Sequence, residues 1–438
     1  MSDRAAIEAR AYRRVTARLI PFLFLCYVVA YLDRVNVGFA KLQMLQDLGM
    51  SETAYGIGAG IFFIGYFLFE VPSNLILHRT GARVWIARIM ITWSLLSAGT
   101  MFVTSAGWFY VLRFFLGVAE AGFFPGIILY LTQWYPASRR ARIIALFMTA
   151  VAMSGVIGGP VSGWILSAMA GVNGWAGWQW LFLLEAIPSL LMGVAVLFYL
   201  DDRIESARWL SADERDVLTA NLRAEQGGTE HRSVLATLRH PHVLLLAALY
   251  FCIVMGLYGI AFWLPQLIRT MGVADAGRVG VWSALPYIVA TVVMVLVGRS
   301  SDARGERRWH LVGGSIAGAV GLVVAGAFST SLPIGITAMS VATAGVLAAA
   351  PLFWTLPTAT LRGASAAAGI AVINSIGNLA GFLSPYLIGV VRDATGQATL
   401  GLYAIALFML IGAALAIPAT RARPAAAGDA AGAGRSRA

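Results

Sequence analysis

Charge is what this chain has least of. Asp, Glu, Lys and Arg make up 12% of it, about half the share of a soluble globular domain, while 59% is hydrophobic. A chain with so few charges to hold it in water and so much apolar surface belongs in a bilayer. Cysteine is nearly absent: Cys26 and Cys252 are the only two. They lie in apolar runs far apart, which argues against a disulfide framework and leaves them as small buried core residues. The five histidines are scattered in or beside polar segments. No His and acid cluster has metal-ligand spacing, no glycine-rich phosphate loop follows a strand, and no serine elbow appears. The sequence therefore predicts no enzyme, no cofactor, no bound metal and no nucleotide-driven machine.

What is present is a succession of twelve apolar runs, near residues 19–39, 54–77, 85–104, 108–131, 143–169 and 179–200, then 243–267, 280–298, 310–329, 333–353, 366–391 and 399–418. Each is close to the roughly 20 residues that cross a hydrocarbon core as helix. The expected fold is an all-α membrane protein with twelve transmembrane helices in two pseudo-symmetric six-helix bundles. The expected organisation is an N-terminal segment 1–18, a first bundle 19–200, a linker 201–240, a second bundle 241–418 and a tail 419–438. Within the linker, Ser211 before Asp213 and Glu214 reads as a helix start with acids at the positive end of the helix dipole. From Pro424 onward the tail is mostly Ala, Gly and Arg and reads as disordered. Small residues around 154–163 and 364–381 predict close helix packing.

Orientation follows from the basic residues. With the N-terminus cytoplasmic, the 32 Lys and Arg fall almost wholly on the inner side, counting Arg88 at the inner edge of span three. Only Lys41, Arg269, Arg278 and Arg392 lie in outer loops, and Arg34 and Arg113 lie within spans. Both termini are thus expected in the cytoplasm and the protein in the plasma (inner) membrane. No cleavable signal precedes the first run, which is itself of spanning length. The net charge of +11 follows from this asymmetry and from anionic headgroups, so no nucleic-acid partner is needed.

Four charges remain inside the spans: Asp33 and Arg34 in the first, Arg113 and Glu120 in the fourth. A charge at the bilayer centre costs about 2.5 to 3.5 kcal/mol even on the lenient insertion scale, so it normally faces a bundle interior or a water-filled pathway. At 1.5 Å per residue, Asp33 lies about 21 Å from the inner end of span one, and Arg113 falls at a similar depth. The two are expected to pair across helices. Asp33 and Arg34 point about 100° apart and do not pair with each other. Glu120 follows Arg113 by seven residues and sits on the same face about 10 Å deeper, near the midplane. Burial raises a carboxylate's pKa and a neighbouring arginine lowers it, so an anion entering the cavity can switch protonation. Asp33 and Glu120 are the candidate proton carriers. Arg34 and Arg113 are the candidates for holding a substrate carboxylate, which suits the planar guanidinium fork. A static network joining spans one and four is the alternative.

Further candidates rest on spacing. Tyr31 and Tyr66 fall near the same cavity and can donate to an anion, or simply pack. Asn374 and Asn378 share a helix face, next to no formal charge, and suit either substrate hydroxyls or interhelical hydrogen bonds. Trp354 is a candidate wall for the substrate or a lipid-facing residue. Glu70 reads as a structural or gating group, Glu185 as a structurally paired one, and the tryptophans from Trp175 to Trp180 as interfacial anchors.

An internal repeat links the halves. The segment after span eight carries Gly298, Asp302, Gly305 and Arg307, and the segment after span two carries Asn74, His78, Gly81 and Arg83, at a constant offset of 224 residues. Parallel halves are what alternating access about a central site requires. Arg83, Asp302 and Arg307 are the candidate gating residues, through pairs made and broken across the interface. The second loop resembles the signature loop of the major facilitator superfamily. Tyr31 to Ala40 (YLDRVNVGFA), Glu70 to Asn74 (EVPSN), Arg113 to Gly122 (RFFLGVAEAG), and Gly369 to Asn374 (GIAVIN) with Gly377 and Asn378 resemble its anion:cation symporter branch. Asn74 and His78 depart from the pattern of the first loop. That resemblance covers nearly the whole chain except the tail. It implies a proton-coupled importer of organic anions, of the kind that carries tartrate, galactonate, phthalate or hydroxyphenylacetate, with the same roles for the four charges. Each charge moved across 100 mV is worth about 2.3 kcal/mol, so a monovalent anion with one proton moves electroneutrally and is driven by the pH difference alone. The expected partners are a small organic anion, protons and lipid, and the expected state is a monomer. A proton-driven multidrug exporter and a non-transporting receptor on the same scaffold are the rival readings.

Overall fold

The computed structural model describes residues 2–225, 240–360 and 364–421. Every regular element among them is helical, and twelve segments are long and apolar enough to cross a membrane. The first six are Arg4–Asp47, Glu52–Leu77, Ala82–Phe102, Ala106–Thr132, Ser138–Ala168 and Gly177–Tyr199. The second six are Pro241–Thr270, Ala276–Arg304, Arg308–Ala327, Leu332–Pro357, Gly369–Thr395 and Ala398–Ala419. The all-α architecture expected from the apolar runs is the one observed. Large apolar side chains such as Phe198, Leu191 and Val281 are exposed on the outside of the helices, where lipid takes the place of a protein core.

Span one is longer than its apolar run, because the polar start of the chain is also helix. One helix runs from Ser2 to Val35, about 51 Å at 1.5 Å per residue, well beyond a ~30 Å hydrocarbon core. The projecting end is clamped by the linker: Arg10 Nε and Arg14 Nη1 lie 3.0 and 2.9 Å from the Glu214 carboxylate. Glu214 opens the helix Ala212–Glu225. The Ser211 N–H donates to its carboxylate at 3.0 Å and its own N–H donates to Ser211 Oγ at 3.3 Å, the reciprocal cap of a helix start. Burial pushes this carboxyl up, but the hydrogen bonds from the Ser211 N–H, Arg10 and Arg14 outweigh it and hold Glu214 below the usual Glu range. Residues 226–239 of the linker and 422–438 of the tail, including the stretch read as disordered, lie outside the described residues.

The halves meet along two seams. Span five runs beside span eight, and span two beside span eleven. Glycine makes both seams tight at the face opposite the termini, here called the far face. A Cβ on Gly280 would stand 2.2 Å from the Gly159 carbonyl oxygen, and one on Gly163 would stand 2.6 Å from that of Ala276. On the other seam, Cβ atoms on Gly56 and Gly389 would lie 2.6 Å from the Pro385 oxygen and 2.5 Å from the Glu52 oxygen. Backbones approach this closely only where side chains are missing. Ionic contacts close the same face. Glu52 takes Lys41 at 2.6 Å and Arg392 of the second half at 2.7 Å. Asp393 accepts from the Glu52 and Thr53 N–H groups at 3.2 and 2.8 Å, and Arg269 donates to the Leu42 carbonyl at 2.5 Å. The far face is shut.

Candidate functional site

A local irregularity and a helix break prepare the centre of the molecule. In span one the helix is disturbed only at Asn36, whose backbone stays helical at φ −56° and ψ −27°, just after Asp33 and Arg34. In span four it stops at Glu120 and resumes at Phe123, with Gly122 in the left-handed region at φ 88°. Only glycine adopts that backbone without strain, and a side chain there would strike Ser73, 2.4 Å away. Glu120 therefore ends a helix, where the dipole repels a carboxylate. Its compensation is Arg34, whose Nη2 donates to Glu120 Oε1. Both side chains are buried.

Arg34 also reaches the other half. Its Nη1 donates to the Tyr258 hydroxyl at 2.9 Å, and the two residues are 224 positions apart, which is the offset of the loop repeat. Equivalent positions of spans one and seven thus meet at the centre. Gly38 abuts Phe262, its counterpart at the same offset. The guanidinium lies over the rings of Tyr31, Phe62 and Tyr66 at 5.5 to 5.7 Å.

Asp33 turns the other way. Its carboxylate accepts from Trp93 Nε1 at 3.0 Å, Ser97 Oγ at 3.2 Å and Ser189 Oγ, all on spans three and six. The expected pair between Asp33 and Arg113 does not form. Arg113 donates to the Gly58 and Ala59 carbonyls of span two at 3.4 Å each, beside the Phe62 ring. Arg34 meets Glu120, two turns along span four from Arg113, so the shared depth expected of Asp33 and Arg113 does not hold; and because successive helix positions diverge by about 100°, placing Arg34 toward the second half sends Asp33 into its own bundle.

A narrow cavity opens beside Arg34 between the halves. Tyr27, Tyr31, Tyr66 and Phe124 wall it on one side, and Tyr250, Tyr258, Asn374 and Asn378 on the other. Its volume of about 40 Å³ is room for a few water-sized groups, so cargo of any size requires the halves to part. Arg113 and Asp33 are not in its wall. Trp354 lines the adjoining pocket, which shares Phe124, Met148 and Pro351 with the cavity, and packs edge-on against Tyr250 at 4.9 Å. The Tyr31 hydroxyl is buried and has no hydrogen-bond partner among the described residues. Tyr27, Tyr250 and Tyr258 were missed from the sequence. The signal was present, since Tyr27, Tyr31 and Arg34 fall on one helix face, as do Tyr250 and Tyr258.

Two further expectations need correction. Asn374 is not remote from charge: its Nδ2 donates to Glu70 Oε1 at 2.6 Å, and Ser375 Oγ donates to Oε2 at 2.6 Å. The loop arginines do not pair across the halves. The Arg83 N–H donates to Asp202 at 2.8 Å, with its side chain 3.8 Å away, and Arg307 binds Asp302 and Ser301 of its own loop at 2.5 and 2.6 Å. Glu185 accepts from Ser162 at 2.6 Å, inside the first half.

Residues 23–385 match the family model described as Major Facilitator Superfamily. The chain belongs to the major facilitator superfamily. It is a multi-pass membrane transporter and not an enzyme. A protein of Agrobacterium vitis provisionally named a tartrate transporter is 52% identical over 95% of this chain and 93% of its own length. A quinolone resistance transporter of Acinetobacter baumannii is 41% identical over 92% of this chain and 94% of its own. Among solved structures, a bacterial homologue of the human lysosomal transporter Spinster, inward-facing and occupied, matches with a TM-score of 0.71 at 18% identity, over 92% of this chain and 97% of that one. That likeness is one of fold.

Proposed function

We propose that this transporter imports a small organic anion together with protons, as members of the anion:cation symporter branch do, across the plasma (inner) membrane with both termini in the cytoplasm. The observation that carries the reading is the pair that Arg34, in the cavity wall, makes with the buried Glu120 behind it. Among the described residues, Arg34 is the one guanidinium on that wall, and a carboxylate of the protein already holds it. An anion binds Arg34 by displacing Glu120, and a proton on Glu120 frees the guanidinium for it. Proton and anion therefore favour each other's binding. Asp33, in its cage of three donors on spans three and six, is the second proton carrier. Tyr31, Tyr66, Asn374 and Asn378 are the hydrogen-bonding partners for cargo hydroxyls, which fits a tartrate-like or sugar acid. Arg113 serves as a brace between spans two and four. A monomer suffices for this mechanism.

One finding favours a second reading, proton-driven export of drugs: the 41% identical quinolone resistance transporter. Two measurements separate the readings. The purified protein, melted against tartrate, sugar acids, aromatic acids and cationic drugs at acidic and neutral pH, is expected to gain stability from one class of carboxylate, since a ligand of the folded state raises its stability. Shifts with cationic drugs alone overturn the symporter reading. In proteoliposomes, Glu120→Gln is expected to abolish proton-driven accumulation while sparing exchange of internal for external anion. Loss of both counts against a coupling role for Glu120.

A further inference from the structure

Asp33, read as the second proton carrier, is buried in the first half and is not in the wall of the central cavity. A proton that binds there needs a way in. Of its three donors, Trp93 and Ser97 are on span three and Ser189 is on span six. Glu185 stands one turn before Ser189 on the same face of span six. It is buried, and no Lys or Arg lies within ion-pair distance of it among the described residues. Its Oε1 accepts from Ser162 Oγ of span five at 2.6 Å. Its Oε2 is buried and has no hydrogen-bond partner among the described residues. The groups that act on it from other spans are the Ser162 hydroxyl, the Asp33 carboxylate and the Asn36 amide. A carboxylate that only braces helices has both oxygens held, as Glu214 has by Arg10, Arg14 and the Ser211 N–H, because an unsatisfied buried oxygen is destabilising. Glu185 keeps one oxygen free, which suits a group that takes a proton on one side and gives it up on the other.

Ser162 brings this carboxyl to the interface between the halves. It lines a second narrow cavity there, with Gly159, Pro265, Ser283 and Tyr287. The volume is about 20 Å³, room for one water, and the cavity adjoins the Gly159 to Gly280 contact that shuts the far face. The depths form a ladder. The far ends of spans five and six are Ala168 and Gly177. Counted from them at 1.5 Å per residue, Ser162 lies about 9 Å in, Glu185 about 12 Å and Ser189 about 18 Å.

We propose, on the reading of Asp33 as a proton carrier, that Ser162, Glu185 and Ser189 form a proton path from the far face to Asp33, with Glu185 as its relay. When the seam of spans five and eight parts, outside water reaches Ser162. That hydroxyl takes a proton from hydronium and gives its own to Glu185 Oε1. The carboxyl turns about its side-chain bonds toward Ser189, whose hydroxyl accepts the proton and passes its own to Asp33 Oδ2. One proton leaves the water and one arrives on Asp33, while both hydroxyls and Glu185 end chemically as they began. With the far face shut, the path ends at Ser162 in a closed cleft, so Asp33 does not lose its proton to that side. A relay sets how fast the proton arrives and not how tightly it is held.

The test is the rate of proton entry. Proteoliposomes of the full-length protein with the pH dye pyranine trapped inside are given tartrate or galactonate outside at neutral pH. Glu185→Gln is expected to slow the initial acidification by about a hundredfold, the lower end of what a positioned proton-transfer group contributes. The number of protons carried per anion, and the exchange of internal for external anion, are expected to stay as in the wild type. Azide, a small weak acid that can carry protons into a buried site, is expected to restore the rate of the variant and to leave the wild type unchanged. Ser162→Ala is expected to be slowed less and to be restored in the same way, and it carries the test if Glu185→Gln does not fold. Variants as fast as the wild type overturn the path. So does a slow rate that azide does not restore, which marks a structural brace, and so does a smaller number of protons per anion, which makes Glu185 a carrier itself. A wild type that takes up neither anion with protons overturns the symport reading and the path with it.

Discussion

The two halves share one fold and divide the chemistry unequally. Among the described residues, every charged side chain that is buried (Asp33, Arg34, Lys41, Glu70, Arg113, Glu120, Glu185 and the linker's Glu214) belongs to the first half or to the linker. The buried polar side chains of the second half are Ser, Thr and Asn. Where the repeat puts Arg34 in the first half it puts Tyr258 in the second, and the two touch. The difference has a mechanical meaning. An ion pair broken in a low-dielectric interior leaves an uncompensated charge and costs about 3 to 5 kcal/mol. A hydrogen bond between a charge and a neutral group is worth about half of that. With charge confined to one side, the central contacts between halves are of the cheaper kind: Arg34 with Tyr258, and Glu70 with Asn374 and Ser375. Among the described residues, the ion pair that does cross, Glu52 with Arg392, sits at the far face, where water can take over each partner as the seam opens. One half holds the charges in place and the other can leave them.

Substitutions on each side of the Arg34 to Tyr258 contact put this division at risk. Arg34→Ala leaves Glu120 buried, at a helix end and without its cation, and removes the guanidinium from the cavity. Uptake in proteoliposomes is expected to fall by a hundredfold or more, about what 3 kcal/mol predicts for a broken buried pair. Tyr258→Phe removes one hydrogen bond to the same guanidinium from the neutral side, and about a tenfold loss is expected, with Glu120 still paired. Equal losses would mean that the second half is no passive wall and that Tyr258 takes part in handling the charge.

Much of this division was legible in the sequence, because a bilayer writes its demands in long runs. The twelve spans follow from the need to satisfy every backbone group inside hydrocarbon, and Asp33, Arg34, Arg113 and Glu120 stood out because charge there is costly. Their partners were not legible. Depth along a helix can be counted from its end, but which face meets which neighbour depends on how helices rotate and pack. Asp33 and Arg113, counted to one depth, meet different neighbours, three donors of spans three and six for one and span two carbonyls for the other. Asn374 looked free of charge because Glu70 lies 304 residues away in sequence. The far-face closure was invisible for a related reason: it rests on the register of Gly159, Gly163 and Gly280 across a seam, and small residues alone do not say which helix they admit. The polar start of span one was hidden too, since its helix is fixed by two arginines that reach the linker and not by an apolar run.

That linker clamp supplies the smallest effect and a control for the others, because it lies outside the membrane and outside the cavity. Glu214 is held below the ordinary Glu value of 4.5. A carboxylate with a depressed folded-state pKa binds fewer protons folded than unfolded, so its contribution to stability is complete above the unfolded value and is lost as pH falls through the folded one. Its partners Arg10 and Arg14 are more than half exposed, and solvent screens such pairs heavily. Glu214→Gln is therefore expected to lower the melting temperature at neutral pH by only about one or two degrees, and the gap from the wild type should close as the pH drops below 4.5. Transport per folded molecule should not change. If Glu214→Gln instead alters uptake as strongly as Tyr258→Phe, the projecting helix and the linker are coupled to the moving halves, and the chemistry is no longer confined to the charges inside the first bundle.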